Sequence, residues 1–141
     1  MRVAFATCKR FPNIDVDDAP AAESLQRLGA TVKPAIWDDA AIRWERFDAC
    51  IIRSTWDFHL QHEKFLGWVD DTRRRTLVLN SPRLIGWNCD KSYLLELQQI
   101  GVPMVPTALR AKHDTQSIRS IVDAHEWSRF VVKPSVSASS W

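Results

Sequence analysis

Apolar residues in the first half of the chain come in short runs separated by amphipathic stretches. Residues 3–7 (Val-Ala-Phe-Ala-Thr) form such a run, too brief for a helix and suited to a strand covered on both faces. Residues 19–28 carry Ala22, Leu25 and Leu28 at helical spacing, and Gly29 stands where a helix C-terminal glycine belongs. Residues 31–36 read as a second strand, and Pro34 within it predicts a sheet edge, since proline has no N–H for a ladder. Residues 49–53 (Ala-Cys-Ile-Ile-Arg) are apolar until Arg53, the pattern of a central parallel strand. An amphipathic helix over about 60–73 turns Phe65, Leu66 and Val69 inward, and residues 77–79 supply a fourth strand. Strands alternating with helices predict the α/β class, as a small doubly wound parallel sheet.

The pattern changes after Ser81-Pro82, which marks a connection. Asn88 or Asp90 can cap a helix running to about Ile100, where Gly101 ends it. Pro103 and Pro106 flank a predicted short strand at 104–105, a helix follows over about 114–124, and 129–133 reads as the last strand. The division is therefore an α/β domain over 1–87 and an incomplete α+β lobe over 88–141. The final strand opens into Pro-Ser-Val-Ser-Ala-Ser-Ser-Trp, and the chain is expected to be truncated there.

Composition narrows the function classes. The 141 residues are 45% hydrophobic and 26% charged, which is ordinary for a folded domain. A net charge of +2 gives no electrostatic reason to expect nucleic acid or an anionic membrane as partner. No apolar run is long enough to span a bilayer or to direct secretion, so the expectation is a cytoplasmic protein. Cys8, Cys50 and Cys89 form no C-x-x-C pair, which argues against structural zinc and for reduced thiols. The aspartate cluster at 15–18 lacks the glycine and terminal glutamate of a calcium loop and reads as the capped start of a helix. No metal ligands and no catalytic nucleophile are assigned.

Two lysines draw attention by placement. Lys91 opens a helix, and Lys133 closes an apolar strand before a loop of small residues; cations in such places hold phosphate. Arg53, Ser54, Thr55 and Asp57 follow the third strand, at the end of the sheet where α/β folds bind ligands. Arg53 can fork onto a carboxylate, and Ser54 and Thr55 can donate hydrogen bonds. Asp57 is equally suited to capping the next helix, with Trp56 packed in the core. His59 reads as structural or solvated.

Trp87-Asn-Cys-Asp-Lys-Ser-Tyr-Leu-Leu-Glu-Leu97, then Gly101-Val-Pro-Met-Val-Pro-Thr107, then Val131-Val-Lys-Pro134 resemble the opening of an ATP-grasp domain, the fold of carboxylate–amine and carboxylate–thiol ligases such as glutathione synthetase. Residues 1–87 resemble the pre-ATP-grasp domain of these enzymes, and Arg53-Ser-Thr-Trp-Asp-Phe-His59 is similar to a segment of bacterial glutathione synthetase-like members. The resemblance implies an ATP-dependent ligation through an acyl-phosphate. It implies that Lys91 and Lys133 contact ATP phosphates, with Ser135, Ser137, Ser139 and Ser140 as hydroxyl donors. It further implies that Arg53, Ser54, Thr55 and Asp57 meet a small carboxylate substrate. Mg²⁺ would accompany ATP on ligands beyond Trp141, so this chain alone is expected to be inactive. The alternative is a non-catalytic α/β module binding a small anion, a nucleotide or a partner. In either case a second copy or a partner chain could cover the open lobe.

Overall fold

A computed structural model describes residues 1–138. The chain divides into two compact units, Met1–Trp87 and Asn88–Trp141.

The first unit is α/β. Strands β1 (Arg2–Thr7), β2 (Thr31–Ile36), β3 (Ala49–Ile52) and β4 (Leu77–Leu79) form one sheet in the order β2-β1-β3-β4, with every neighbouring pair parallel. Pro34 lies on the edge strand, opposite Phe5, as its missing N–H requires. The interior strands β1 and β3 are the two most buried, and Ala4, Ala6 and Cys50 are wholly enclosed. Helices α1 (Ala19–Arg27) and α2 (His62–Arg73) are the crossovers, and a 3₁₀ turn at Phe58–Gln61 leads into α2. From β1 the chain steps to β2 on one side; from β3 it steps to β4 on the other. Right-handed crossovers therefore place α1 and α2 on opposite faces.

One core cluster joins Val3, Phe5, Ala22 and Val32, with Leu25 packed against it. A second packing layer is aromatic: Trp37 meets Phe65 at 5.3 Å and Trp68 at 5.8 Å, and Trp68 meets Trp44 at 5.2 Å, mostly edge-on or tilted as ring quadrupoles favour. Gly29, at φ +85°, ends α1 in the left-handed conformation that frees the chain to turn into β2.

The second unit departs from expectation. Among the described residues it carries helices only: the end of α3 (Pro82–Asn88), which starts in the first unit, then α4 (Tyr93–Gln99) and α5 (Ile118–Ala124). The predicted strands at 104–105 and 129–133 are not formed. A strand exists by pairing, and neither segment has a ladder partner here; Pro103 and Pro106 also remove two donors from the first. Their apolar side chains stay in solvent, with Val105 81% and Val131 78% exposed. Helix α5 starts later than the expected 114, because Ser117 caps it: its Oγ accepts from the Ser120 N–H at 3.0 Å. No helix among the described residues is long and apolar enough to cross a membrane.

Candidate functional site

In the first unit, the strand order reverses between β1 and β3, and the carboxyl ends of strands at such a reversal are where α/β sheets generally bind ligands. Arg53 and Ser54 stand there, beside Thr7. A residue the sequence reading gave to helix capping organises these strand ends. Asp18 occupies the N-cap position of α1, yet its side chain makes no capping bond. It is buried instead against Arg53 and Ser54. Arg53 Nε donates to Asp18 Oδ1 at 2.7 Å, its Nη2 lies 2.5 Å from the same oxygen, and Ser54 Oγ donates to Oδ2 at 2.8 Å. Charge-assisted bonds to a guanidinium outweigh a backbone cap, and α1 is partly relieved of donors by Pro20 in its first turn.

Asp57 is likewise no side-chain cap. Its carboxylate accepts from Trp37 Nε1 at 2.7 Å, fixing the indole that anchors the aromatic layer. Ser54 and Thr55 are buried, while the Arg53 side chain is about half exposed at 48%. Of the four residues proposed from sequence for a substrate, Arg53 thus reaches solvent with part of its fork already engaged. His59 Nδ1 lies 3.1 Å from the Trp56 carbonyl, and the Trp56 ring packs edge-on to Phe11.

Beyond β2 lies an ion cluster that sequence reasoning did not find. Lys9 donates to Asp38 Oδ2 at 2.9 Å, and Lys64 lies 3.6 Å from that oxygen while standing over the Trp37 ring. Burial pushes the Asp38 carboxyl up, but the Lys9 hydrogen bond and the charges of Lys9 and Lys64 outweigh it, leaving the pKa below its ordinary value. Asp38 Oδ1 is buried without a hydrogen-bond partner. The contacts join residues 26 to 29 positions apart, and no local motif marks them.

In the second unit, Lys91, Lys133 and Ser135 line one cleft of about 1140 Å³, whose other walls include Leu94, Val105, Trp127 and Phe130. Lys91 is held by the loop that follows Lys133. Its ammonium donates to Ser137 Oγ at 2.6 Å and faces the carbonyls of Pro134, Ser135 and Ser137 at 3.0, 3.2 and 3.3 Å. Burial, and next the charge of Lys133, lower the Lys91 pKa from its ordinary value, against a smaller opposing pull from Asp90. Ser135 Oγ donates to Asp90 Oδ2 at 3.1 Å. Ser139 and Ser140 lie outside the described residues.

Burial raises the thiol pKa of Cys50 to about 12 and of Cys89 to about 11, so both stay protonated near neutral pH. Among the described residues, no three His, Cys, Asp or Glu side chains converge as a metal site.

Comparison with known proteins gives the relationship. The family described as "D-cycloserine synthetase DcsG, N-terminal domain" matches residues 3–80. The cycloserine biosynthesis protein DcsG of Streptomyces lavendulae is 32% identical over 124 residues, covering 86% of this chain and 42% of that protein. The crystal structure of D-cycloserine synthetase DcsG superposes with a TM-score of 0.87 at 29% identity, over 98% of this chain and 48% of the other. The chain spans less than half the length of these relatives. Through its α/β sheet, this chain belongs to the family of DcsG N-terminal domains.

Proposed function

We propose that this chain forms the N-terminal part of an ATP-grasp ligase that activates a small carboxylate as an acyl-phosphate for attack by an amine or another nucleophile. The observation that carries this reading is the cleft shared by Lys91 and Lys133, two cations on one cavity with the Ser135 and Ser137 hydroxyls beside it. Two ammonium groups facing one cavity repel each other, and a polyphosphate relieves that repulsion. The relationship to a synthetase supports the ligase class.

In this reading Lys91, Lys133, Ser135 and Ser137 hold ATP phosphates, and their part is electrostatic: they neutralise charge on the transferred group and move no proton. Arg53 presents its free N–H groups to the substrate carboxylate from the carboxyl ends of β1 and β3, with Ser54, Thr55 and Asp57 shaping the wall. Mg²⁺ would arrive with ATP; the described residues offer no acidic set to receive it.

Calorimetric titration of the 141-residue chain with Mg-ATP tests the proposal. The cleft is open to water, so each contact is screened and a Kd of about 1 mM, near −4 kcal/mol, is expected. Lys133→Ala should weaken it at least about fivefold, as loss of one charge-assisted contact would. Binding indifferent to Lys133, or none, would overturn the assignment. ATP turnover by this chain alone is not expected.

A further inference from the structure

We propose that the outer edge of β4 is a self-association surface, on which a second copy of this chain lays its own β4 antiparallel and joins two four-stranded sheets into one of eight. The sheet ends in two unlike edges. At one end, β2 carries Lys33 and Pro34, a charge and a missing donor of the kind that keep an edge strand from pairing. At the other, β4 reads Leu77-Val78-Leu79, with neither charge nor proline, and among the described residues no strand lies on its far side. An edge of this composition leaves backbone donors and acceptors ready for another chain.

The sheet face beside that edge is open as well. Register sets Leu77 level with Ala49 and Val3, and Leu79 level with Ile51 and Phe5, so these side chains share one face. Helix α1 covers that face at Val3, Phe5 and Val32 through Ala22 and Leu25. It stops short of β4, where Leu77 is 58% and Leu79 43% exposed, whereas Val78 on the opposite face is buried. Parallel strands are ordinarily covered on both faces. A helix laid here would cover the leucines and leave the strand edge in water; a second β4 satisfies both.

The strand's own symmetry names the occupant. A two-fold contact needs a surface complementary to itself. Leu-Val-Leu reads the same in both directions, and its flanks, Thr76 and Asn80, are both polar. With Val78 on the axis, Leu77 of each copy stands opposite Leu79 of the other, and the leucines of both copies close over the seam as cross-strand pairs. Arg73 and Arg83 flank the groove along this edge. Asp70 pairs with Arg73 at 2.6 Å, while Arg83 makes no ion pair with a described residue, so each copy brings one uncompensated cation to the contact. The pairing is short and carries like charge, which places it in the weak class, with a Kd of about 100 µM.

Sedimentation equilibrium of the full chain tests this. Between about 10 µM and about 1 mM the chain should pass from monomer to dimer, and added sodium chloride should tighten the dimer by screening Arg83. Leu79→Lys changes an exposed position and leaves the core intact; with a urea midpoint equal to the parent's, it should raise the Kd at least about tenfold by setting a charge opposite each Leu77. Val131→Lys, at an apolar side chain equally open to water in the second unit, should leave the Kd within about twofold. A chain that stays monomeric throughout would overturn the proposal. So would a dimer that salt loosens, or one that Val131→Lys breaks and Leu79→Lys spares, since either result would put the contact elsewhere.

Discussion

At the scale of single residues, the Asp18–Arg53–Ser54 cluster is asymmetric. Asp18 keeps only 6% of its side chain in solvent, whereas Arg53 keeps 48%. Removing Asp18 leaves a guanidinium that water can reach. Removing Arg53 strands a buried carboxylate on a single serine, which costs more. Urea unfolding should therefore show Arg53→Ala destabilised by roughly 2–4 kcal/mol and Asp18→Asn by about 1–2 kcal/mol. The reverse order would mean that Arg53 is not the solvent screen of Asp18. It follows that Arg53→Ala is a poor probe of substrate binding, and Arg53→Lys, which keeps a cation near Asp18, is the better one. Asp38 makes a second residue-scale case. Its folded pKa is lowered, so its contribution to stability is present above its ordinary value of 3.8 and is lost as pH falls through the lower folded value. The urea midpoint of the unaltered chain should fall faster than that of Asp38→Asn on acidification below pH 3.8. Parallel curves would show that Lys9 and Lys64 do not hold this carboxylate.

At the scale of elements, glycine gives paired predictions of opposite sign. A Cβ would meet nothing within 4 Å at Gly29 or at Gly67, so packing does not separate them. Backbone conformation does. Gly29 has φ +85°, and Gly29→Ala should cost about 1 kcal/mol of left-handed strain. Gly67 sits inside α2, and Gly67→Ala should stabilise by up to about 1 kcal/mol through helix propensity. Thermal unfolding of the two variants beside the parent reads both signs. The same local logic explains what sequence could reveal. Strands β1 and β3 were legible because burial on both faces writes an unbroken apolar run, and β2 was placed at the edge by Pro34. Helix α3 was not legible, since Ser81-Pro82 reads as a connection although proline is welcome in the first helical turn. The strands expected at 104–105 and 129–133 failed because an apolar run supplies a strand's side chains and not its partner. Asp18 was misjudged for a related reason. Its neighbours in sequence suggest a cap, while Arg53, 35 residues away, decides its role.

At the scale of the whole molecule, burial is unevenly shared. Among the described residues every buried apolar side chain except Cys89 belongs to Met1–Trp87. Asn88 onward keeps Ile100, Val105, Val131 and Val132 more than half exposed. Hydrophobic burial is the main favourable term in folding, at about 25 cal/mol per Å², so the first unit should hold most of the stability. The bonds from Asp90 and Lys91 to residues 134–137 order part of the second unit without adding a core beneath it, and polar ties of this kind contribute only about 1 kcal/mol each. Opening of the second unit should therefore precede global unfolding. Thermolysin, which cuts beside apolar residues, should cleave within residues 102–132 under native conditions and leave a persistent fragment close to 1–87. That fragment, expressed alone, should unfold in urea with the same tryptophan-detected midpoint as the full chain, because Trp37, Trp44 and Trp68 report the aromatic layer it contains. A fragment that fails to fold, or first cuts inside the sheet, would show that residues beyond Trp87 supply stability that their exposure does not reveal.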